Sequence, residues 1–295
     1  MRLLETADHI TVEAPAKVNL FLEVVRRRPD GFHEIDTVFQ AVSLYDRLSV
    51  VASPALELEV ISAPVGVPRD ARNLVWKAAR ALADRTGVRA AARIRLTKGI
   101  PVGAGLGGGS SDAAAALVAL NRLWRTDLSH GALREVAAGL GSDVPFFIRG
   151  GTARGRGRGE RLDPIETAGV FWYVILWPGA PISTAEAYRR LDERPSEAPR
   201  TPDALIAALA AGNVEGIGGA TFNRLGAVAA AIEPRVGRAR ERVRDSGAVA
   251  ACVTGSGAAV FGLFDGRTSA DRAAAQLRET HGDAVWVAHT VPSGS

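Results

Sequence analysis

The segment PVGAGLGGGSSD at 101–112 is the densest candidate for chemistry in this chain, with five glycines in twelve residues. Glycine is costly to order, so such a run needs a physical reason. A strand-like stretch, ARIRLTK at 92–98, leads in, and an alanine- and leucine-rich helical stretch at 111–124 leads out. A slack linker would have featureless polar flanks instead. Gly103 to Gly108 fits G-x-G-x-x-G, but a dinucleotide fold needs a strand ending in an acidic residue after the helix. Here TDLSHGALREVAAGL follows and reads as another helix. A Walker A loop needs a lysine before its helix, and this loop has none. A phosphate cradle fits: glycines let backbone N–H groups converge, and a helix N-terminus adds its positive dipole end. Pro101, Gly103, Gly105, Leu106, Gly107, Gly108, Gly109, Ser110 and Ser111 are its candidate nucleotide-binding residues, with the two hydroxyls serving phosphate or a metal-bound water. A plainer reading, compatible with the first, is that Ser110, Ser111 and Asp112 cap the helix.

Other polar residues stand in apolar or turn settings. Lys17 opens the stretch KVNLFLEVV, and Asn19 shares its side-chain parity, so in a strand both face one cavity. Read alone, Lys17 is equally the solvated end of a strand. Asp143 in GSDVP is either a presented carboxylate or a turn cap; Val144, preceding Pro145, is expected to be extended. Asn73 stands where the N-cap of a helix over 74–86 is wanted, and Ser183 and Glu186 have capping-box spacing around Thr184.

The elements that must hold these residues follow from periodicity. Strands are expected over 9–13, 17–25, 37–44, 47–52, 56–62 and 92–98, with a PDG turn at 29–31. Helices are expected over 74–86, 111–124 and 130–140; GSDVPFFIRGG at 141–151 reads as a loop and a buried strand, and TARGRGRGERLDP as a polar hairpin. FWYVILW at 171–177 is the candidate central strand of the second half. Helices over 183–192, 203–211, 222–231 and 235–245 follow, then strands VAACV and AAVFGLF around Gly255-Ser256-Gly257, a helix over 268–279 and a strand over 284–290. The proline-rich stretch 193–202 reads as a surface loop. The fold class expected is α+β with two domains, 1–165 and 166–295, divided near 163–170.

Composition narrows the class. The 295 residues are 47% hydrophobic and 23% charged, which suits a globular chain with a large core. No run approaches a membrane span, and MRLLETADHI lacks the apolar run and cleavage site of a signal peptide, so a cytoplasmic location is expected. The single Cys252 excludes an intramolecular disulfide and a cysteine metal cluster. A net charge of +4 suits anionic small molecules and also nucleic acid.

In PVGAGLGGGSSDAAA the chain resembles the galactokinase, homoserine kinase, mevalonate kinase and phosphomevalonate kinase superfamily. APAKVNLFL at 14–22, RPDGFHEIDTVFQAVSLYD at 28–46 and GSDVPFFIRGGTARGRGRGERL at 141–162 are similar to the 4-diphosphocytidyl-2-C-methyl-D-erythritol kinase family within it. VTGSGAAVFGLF at 253–264 is similar to the superfamily's C-terminal glycine motif. The resemblance covers almost the whole chain in the expected order. It implies a ribosomal-protein-S5-domain-2-like N-terminal domain and a ferredoxin-like C-terminal domain. It also implies ATP-dependent phosphorylation of the 2-hydroxyl of a CDP-linked methylerythritol, in the methylerythritol phosphate route to isoprenoids.

By the same resemblance Asp143 accepts the hydroxyl proton and Lys17 keeps that carboxylate ionised and orients the hydroxyl. Asn19 contacts substrate. Phe32 and His33 are the aromatic–histidine pair that takes the cytosine, with phenylalanine where the family often has tyrosine. Tyr188 closes the other face of the base, or is a core ring; Thr184 lies near substrate. Asn73 and Lys98 correspond to nucleotide-contacting positions. Gly255, Ser256 and Gly257 form a turn beside the phosphate loop and substrate, or a plain hairpin turn. ATP and Mg2+ are the implied cofactors, with no residue, Asp112 included, assigned as a metal ligand. The implied partners are the small-molecule substrate and ATP, with no nucleic acid and no membrane. Two rivals remain at this point: another kinase of the superfamily, of homoserine or mevalonate type, and an RNA-binding module suggested by RGRGRG at 154–159.

Overall fold

The computed structural model describes residues 1–6, 9–61, 67–195, 197–281 and 284–293. Ser62, expected to end a strand, and Ser196, inside the expected surface loop, lie outside them. In chain order the elements are β1 (Arg2–Glu5), β2 (Ile10–Arg27), β3 (His33–Val51), β4 (Leu56–Ile61), α1 (Leu74–Thr86), β5 (Ala92–Thr97), α2 (Gly108–Leu123), α3 (His130–Ala138), α4 (Val144–Arg149), β6 (Thr152–Gly157) and β7 (Arg161–Ile165). Then come β8 (Trp172–Leu176), α5 (Thr184–Asp192), α6 (Asp203–Ala211), α7 (Val214–Ala220), β9 (Phe222–Asn223), α8 (Gly226–Ile232), α9 (Pro234–Asp245), β10 (Ala250–Val253), β11 (Val260–Phe264), α10 (Arg267–His281) and β12 (Val285–His289).

The first sheet runs β1-β2-β3-β5-β4, with β6 and β7 continuing from β3 and β9 joining β2 in parallel. The strands expected over 9–13 and 17–25 are one strand, β2. Register shifts at Pro15/Ala16, Asn19/Phe21 and Val24/Arg26 break the alternation that a reader of sequence uses. One face of this sheet packs on α1, α2 and α4 through Val12, Ala14, Ala41, Leu48, Ile94, Leu82, Ala114, Leu117 and Phe146. The alanines of α2 let a helix lie buried on nearly every side.

The second sheet is antiparallel, in the order β10-β11-β8-β12. β8 explains the bulky run FWYVILW. Val174 and Leu176 face α9 and α10, while Tyr173 and Ile175 face the first half of the chain, joining Ala16, Val18, Leu20 and Val38 in one cluster. Both faces are buried, so the strand shows no polar alternation.

Three local expectations are corrected. The buried strand expected within 141–151 is the short helix α4: Pro145 sits in its first turn, where its missing N–H is harmless. Val144 is therefore helical rather than extended. An apolar run of five residues cannot tell helix from strand by periodicity. The helix expected over 222–231 starts only at Gly226, because Phe222 and Asn223 pair with Phe21 and Leu22. β1 and α7 were not expected at all. The RGRGRG segment forms the β6–β7 hairpin, in which Arg154 pairs with Asp36 and Arg156 with Asp163. Among the described residues no helix is long and apolar enough to cross a membrane.

Candidate active site

Lys17 and Asn19 do share a face of β2. The Lys17 ammonium donates to Asn19 Oδ1 at 2.6 Å and lies 3.7 Å from Asp143 Oδ2. The Lys17 side chain is 4% exposed and that of Asp143 30%. Burial pulls the Lys17 pKa down, and the facing Asp143 carboxylate opposes that shift. Asp143 occupies the N-cap position of α4, but its side chain makes no capping bond. The turn-cap reading therefore fails, and the carboxylate is left to face Lys17.

The glycine loop is fastened to the same place. Lys17 N–H donates to Leu106 O, and Ala259 N–H to Ala104 O, each at 3.0 Å. Gly105 has φ +81°, and a Cβ there would run into the carbonyl oxygen of Thr254. Only glycine allows the two glycine-containing turns, 103–109 and 255–257, to interlock this closely. Asn19 closes the joint by accepting from Gly255 N–H at 3.0 Å and donating to Thr37 Oγ1 at 2.8 Å.

The serine-cap expectation is overturned. The N-cap of α2 is Gly107, at φ 72°, with no side-chain cap; the helix starts at Gly108. Its first helical bond is Ser111 N–H to Gly107 O, so the amides of Gly108, Gly109 and Ser110 have no acceptor within the helix. These three residues line a cavity of 1170 Å³. Asn73 caps α1 by accepting from Val75 N–H at 2.9 Å, and it also lines this cavity. Ser183 caps α5, but Glu186 turns outward to Arg189 and Arg190, so only half a capping box forms.

Lys98 lines the cavity from within a buried charge cluster. Its ammonium is enclosed by Asp46 and by Asp112 Oδ2, the latter at 2.6 Å, and all three side chains are almost wholly buried. Asp46 Oδ1 in turn accepts from Gly99 and Ile100 N–H. Burial pushes Asp112 well above the carboxylate range, while its two acidic partners hold Lys98 up against its own desolvation. The triad thus ties the end of β5 to the start of α2; two of the three Lys98 donors are taken by carboxylates, and Lys98 still lines the cavity.

At the opposite end, His33 Nε2 lies 2.8 Å from Asp192 Oδ1, and its ring stacks on Tyr188 at 4.6 Å and 26°. Phe32 is 53% exposed, with the Arg158 guanidinium 4.9 Å above its ring. Burial raises the Tyr188 pKa. Thr184 and Ser256 share a 2.9 Å hydrogen bond across the cavity wall. The cavity brings together Lys17, Asn19, Phe32, His33, Asn73, Lys98, Pro101, Gly103, Gly105, Leu106, Gly107, Gly108, Gly109, Ser110, Asp143, Thr184, Tyr188, Gly255 and Ser256. Ser111 and Gly257 are not on its wall: Ser111 is wholly buried, and Gly257 packs against Ile182 and Ala229. Sequence reasoning missed Asp192, Thr254 and Asp46. Asp192 meets its partner across 159 residues, for which no local signal exists.

The chain matches the GHMP kinases N terminal domain over residues 73–151 and the GHMP kinases C terminal domain over 205–283. It is 45% identical to the 4-diphosphocytidyl-2-C-methyl-D-erythritol kinase of Symbiobacterium thermophilum, over 95% of this chain and 99% of that protein. It is 41% identical to the enzyme of the same name from Mycobacterium tuberculosis, over 91% of this chain and 86% of that protein. A crystal structure of 4-(cytidine 5'-diphospho)-2C-methyl-D-erythritol kinase superposes with a TM-score of 0.80 at 37% identity, covering 97% of this chain and all of that one. Homoserine kinase from Cytophaga hutchinsonii, at 19% identity and a TM-score of 0.78, shares the fold. With the glycine loop, the Lys17–Asp143 pair and this likeness along nearly its whole length, the chain belongs to the 4-diphosphocytidyl-2-C-methyl-D-erythritol kinase family of the GHMP kinases.

Proposed function

We propose that this protein transfers the γ-phosphoryl group of ATP to the 2-hydroxyl of 4-diphosphocytidyl-2-C-methyl-D-erythritol, in the cytoplasm. The observation that carries this reading is the 3.7 Å pairing of Lys17 and Asp143 in the same cavity as the open N-terminus of α2. Phosphoryl transfer asks a protein mainly for positioning and charge stabilisation. The free amides of Gly108, Gly109 and Ser110, with the helix dipole behind them, would hold the ATP phosphates. Asp143 would accept the hydroxyl proton as the new P–O bond forms, and Lys17 would hold that hydroxyl in line and keep Asp143 ionised. Asn19 would fix the Lys17 ammonium, and Asn73 would border the nucleotide.

At the far end His33 would hydrogen-bond the cytosine, with Phe32 and Tyr188 supplying the stacking faces, each worth about 1–3 kcal/mol per base. Asp192, accepting from Nε2, would set the His33 tautomer and leave Nδ1 as an acceptor. Thr184, Gly255 and Ser256 would line the polyol.

Magnesium is expected with ATP. Asp112 lines the cavity at the start of α2, and its Oδ1 has no hydrogen-bond partner among the described residues; such a hard donor fits the ion. Asp112 would hold it together with the phosphates, where it would neutralise the charge that develops on transfer.

Incubation with ATP and each alcohol in turn tests the reading through ADP release. Turnover is expected with the CDP-linked polyol and not with mevalonate or homoserine, and Asp143→Asn should lower kcat about 10²–10⁴-fold while ATP still binds. Turnover of mevalonate or homoserine with the CDP-linked polyol ignored would overturn it.

A further inference from the structure

A nucleoside-diphosphate-linked substrate brings a charged diphosphate into the cavity, and that charge needs a partner. Most cations on the wall are already engaged. Lys17 is tied to Asn19 and faces Asp143; Lys98 is enclosed by two carboxylates; Arg72 is paired with Asp70 and Arg189 with Glu186. Arg27 lies 3.9 Å from Asp192.

Arg158 stands apart. Among the described residues its guanidinium makes no ion pair within 4 Å; it lies 4.9 Å from the Phe32 ring centre, and its charge also acts on the Asp30 carboxylate. The nearby acids are otherwise used. Asp30 is gripped by Arg28 through three hydrogen bonds, and Glu160 accepts the Arg158 backbone N–H at 2.6 Å. The backbone is held in a tight turn between Gly157 and Gly159, at φ 76° and 106°, with Gly159 N–H donating to Arg156 O. The side chain is half-buried and lines the cavity beside Phe32 and His33. Stacking on Phe32 pre-organises the planar fork, and a guanidinium offers the paired donors that phosphate oxygens accept.

We propose that Arg158 is a substrate-binding residue that meets the diphosphate of the nucleotide-linked substrate, and that it makes the site prefer a nucleoside diphosphate to the bare nucleoside. This rests on the substrate class proposed above. It assigns a specificity role to an arginine that would otherwise read as one of several on a solvated hairpin.

The test compares the full-length wild type with Arg158→Ala, Arg158→Gln and Arg158→Lys. Readouts are steady-state constants for the CDP-linked polyol and for ATP, and calorimetric affinities for cytidine and CDP. Wild type should bind CDP at least about tenfold more tightly than cytidine, as expected when charge-assisted hydrogen bonds are made. In Arg158→Ala and Arg158→Gln that ratio should fall towards one. KM for the polyol substrate should rise about tenfold, with kcat, the KM for ATP and the affinity for cytidine within about twofold. Arg158→Lys should restore part of the CDP preference, because it keeps the charge without the fork. A variant with unchanged unfolding temperature that keeps the full CDP preference overturns the proposal. Equal weakening of cytidine and CDP also overturns it, since Arg158 would then serve only to support Phe32. If the wild type binds neither ligand, the substrate class itself fails and this role falls with it.

Discussion

Lys17 is the residue on which most of the site's electrostatics turn. Its ammonium is buried, and the desolvation that lowers its pKa outweighs the help from Asp143. The sign of the consequence is fixed by linkage. Between the lowered folded-state value and the ordinary lysine value of 10.5, the unfolded chain binds a proton that the folded chain has released. Stability contributed at this position therefore rises with pH across that window. The unfolding free energy of wild type minus that of Lys17→Met, measured in urea at a series of alkaline pH values, should have a positive slope there. A flat difference would mean that Lys17 titrates as a free lysine and that its burial is relieved. Lys98, whose pKa is raised, has the opposite dependence; it is present in both proteins and cancels in the subtraction.

At the scale of elements, the two glycine turns and the start of α2 separate two reasons for having glycine. Gly105 is demanded by the protein itself, since a side chain there collides with the Thr254 carbonyl and would force the turns apart. Gly105→Ala should cost about 2 kcal/mol or more, from the left-handed backbone and the collision together, and should lose ATP binding. Gly109 is different. It lies in the first turn of α2, and a Cβ there would come only to ordinary contact with Leu74, at 3.7 Å. Gly109→Ala should leave stability unchanged or raise it by up to about 1 kcal/mol, through helix propensity. If the free amides hold phosphate, the same substitution should raise the KM for ATP, because the methyl group sits on the cavity wall. Chemical denaturation and ATP titration of the two variants should therefore move in different directions. A Gly109→Ala enzyme with unaltered KM for ATP would remove the first turn of α2 from the phosphate site.

At the scale of the molecule, the two sheets share one interior. Tyr173 on β8 hydrogen-bonds Gln40 on β3, Gln40 bonds Thr152 on β6, and Thr290 beyond β12 accepts from Phe171 N–H. The cluster around Tyr173, Ile175 and Phe261 includes Val18, Leu20 and Val38 of the first sheet. The Asn223 side chain donates to Val253 and Gly255 carbonyls, so the substrate-side turn depends on β9 lying against β2. Calorimetry should accordingly show a single unfolding transition, with a calorimetric enthalpy close to the van't Hoff value. A fragment spanning 166–295 should fail to fold alone, because one face of β8 would be stripped. Two separable transitions, or a stably folded fragment, would contradict a shared core.

What the sequence determined by itself is what local sterics and short-range pattern control. The strand-to-helix passage through a glycine loop was legible because only glycine takes the left-handed conformations at Gly103, Gly105 and Gly107. The common face of Lys17 and Asn19 was legible because strand parity has period two. The run-on pattern of FWYVILW marked a strand buried on both faces, though not which partners bury it. Only the tertiary structure decided the rest. Nothing local in VPFFI distinguishes helix from strand; the packing of Phe146 and Phe147 under α2 does. Nothing local places Asp192 against His33, Thr254 against Asn19, or the three charges of Asp46, Lys98 and Asp112 in one buried cluster. Those contacts join residues far apart in the chain, and they exist only because two sheets, paired in a particular register, share one interior.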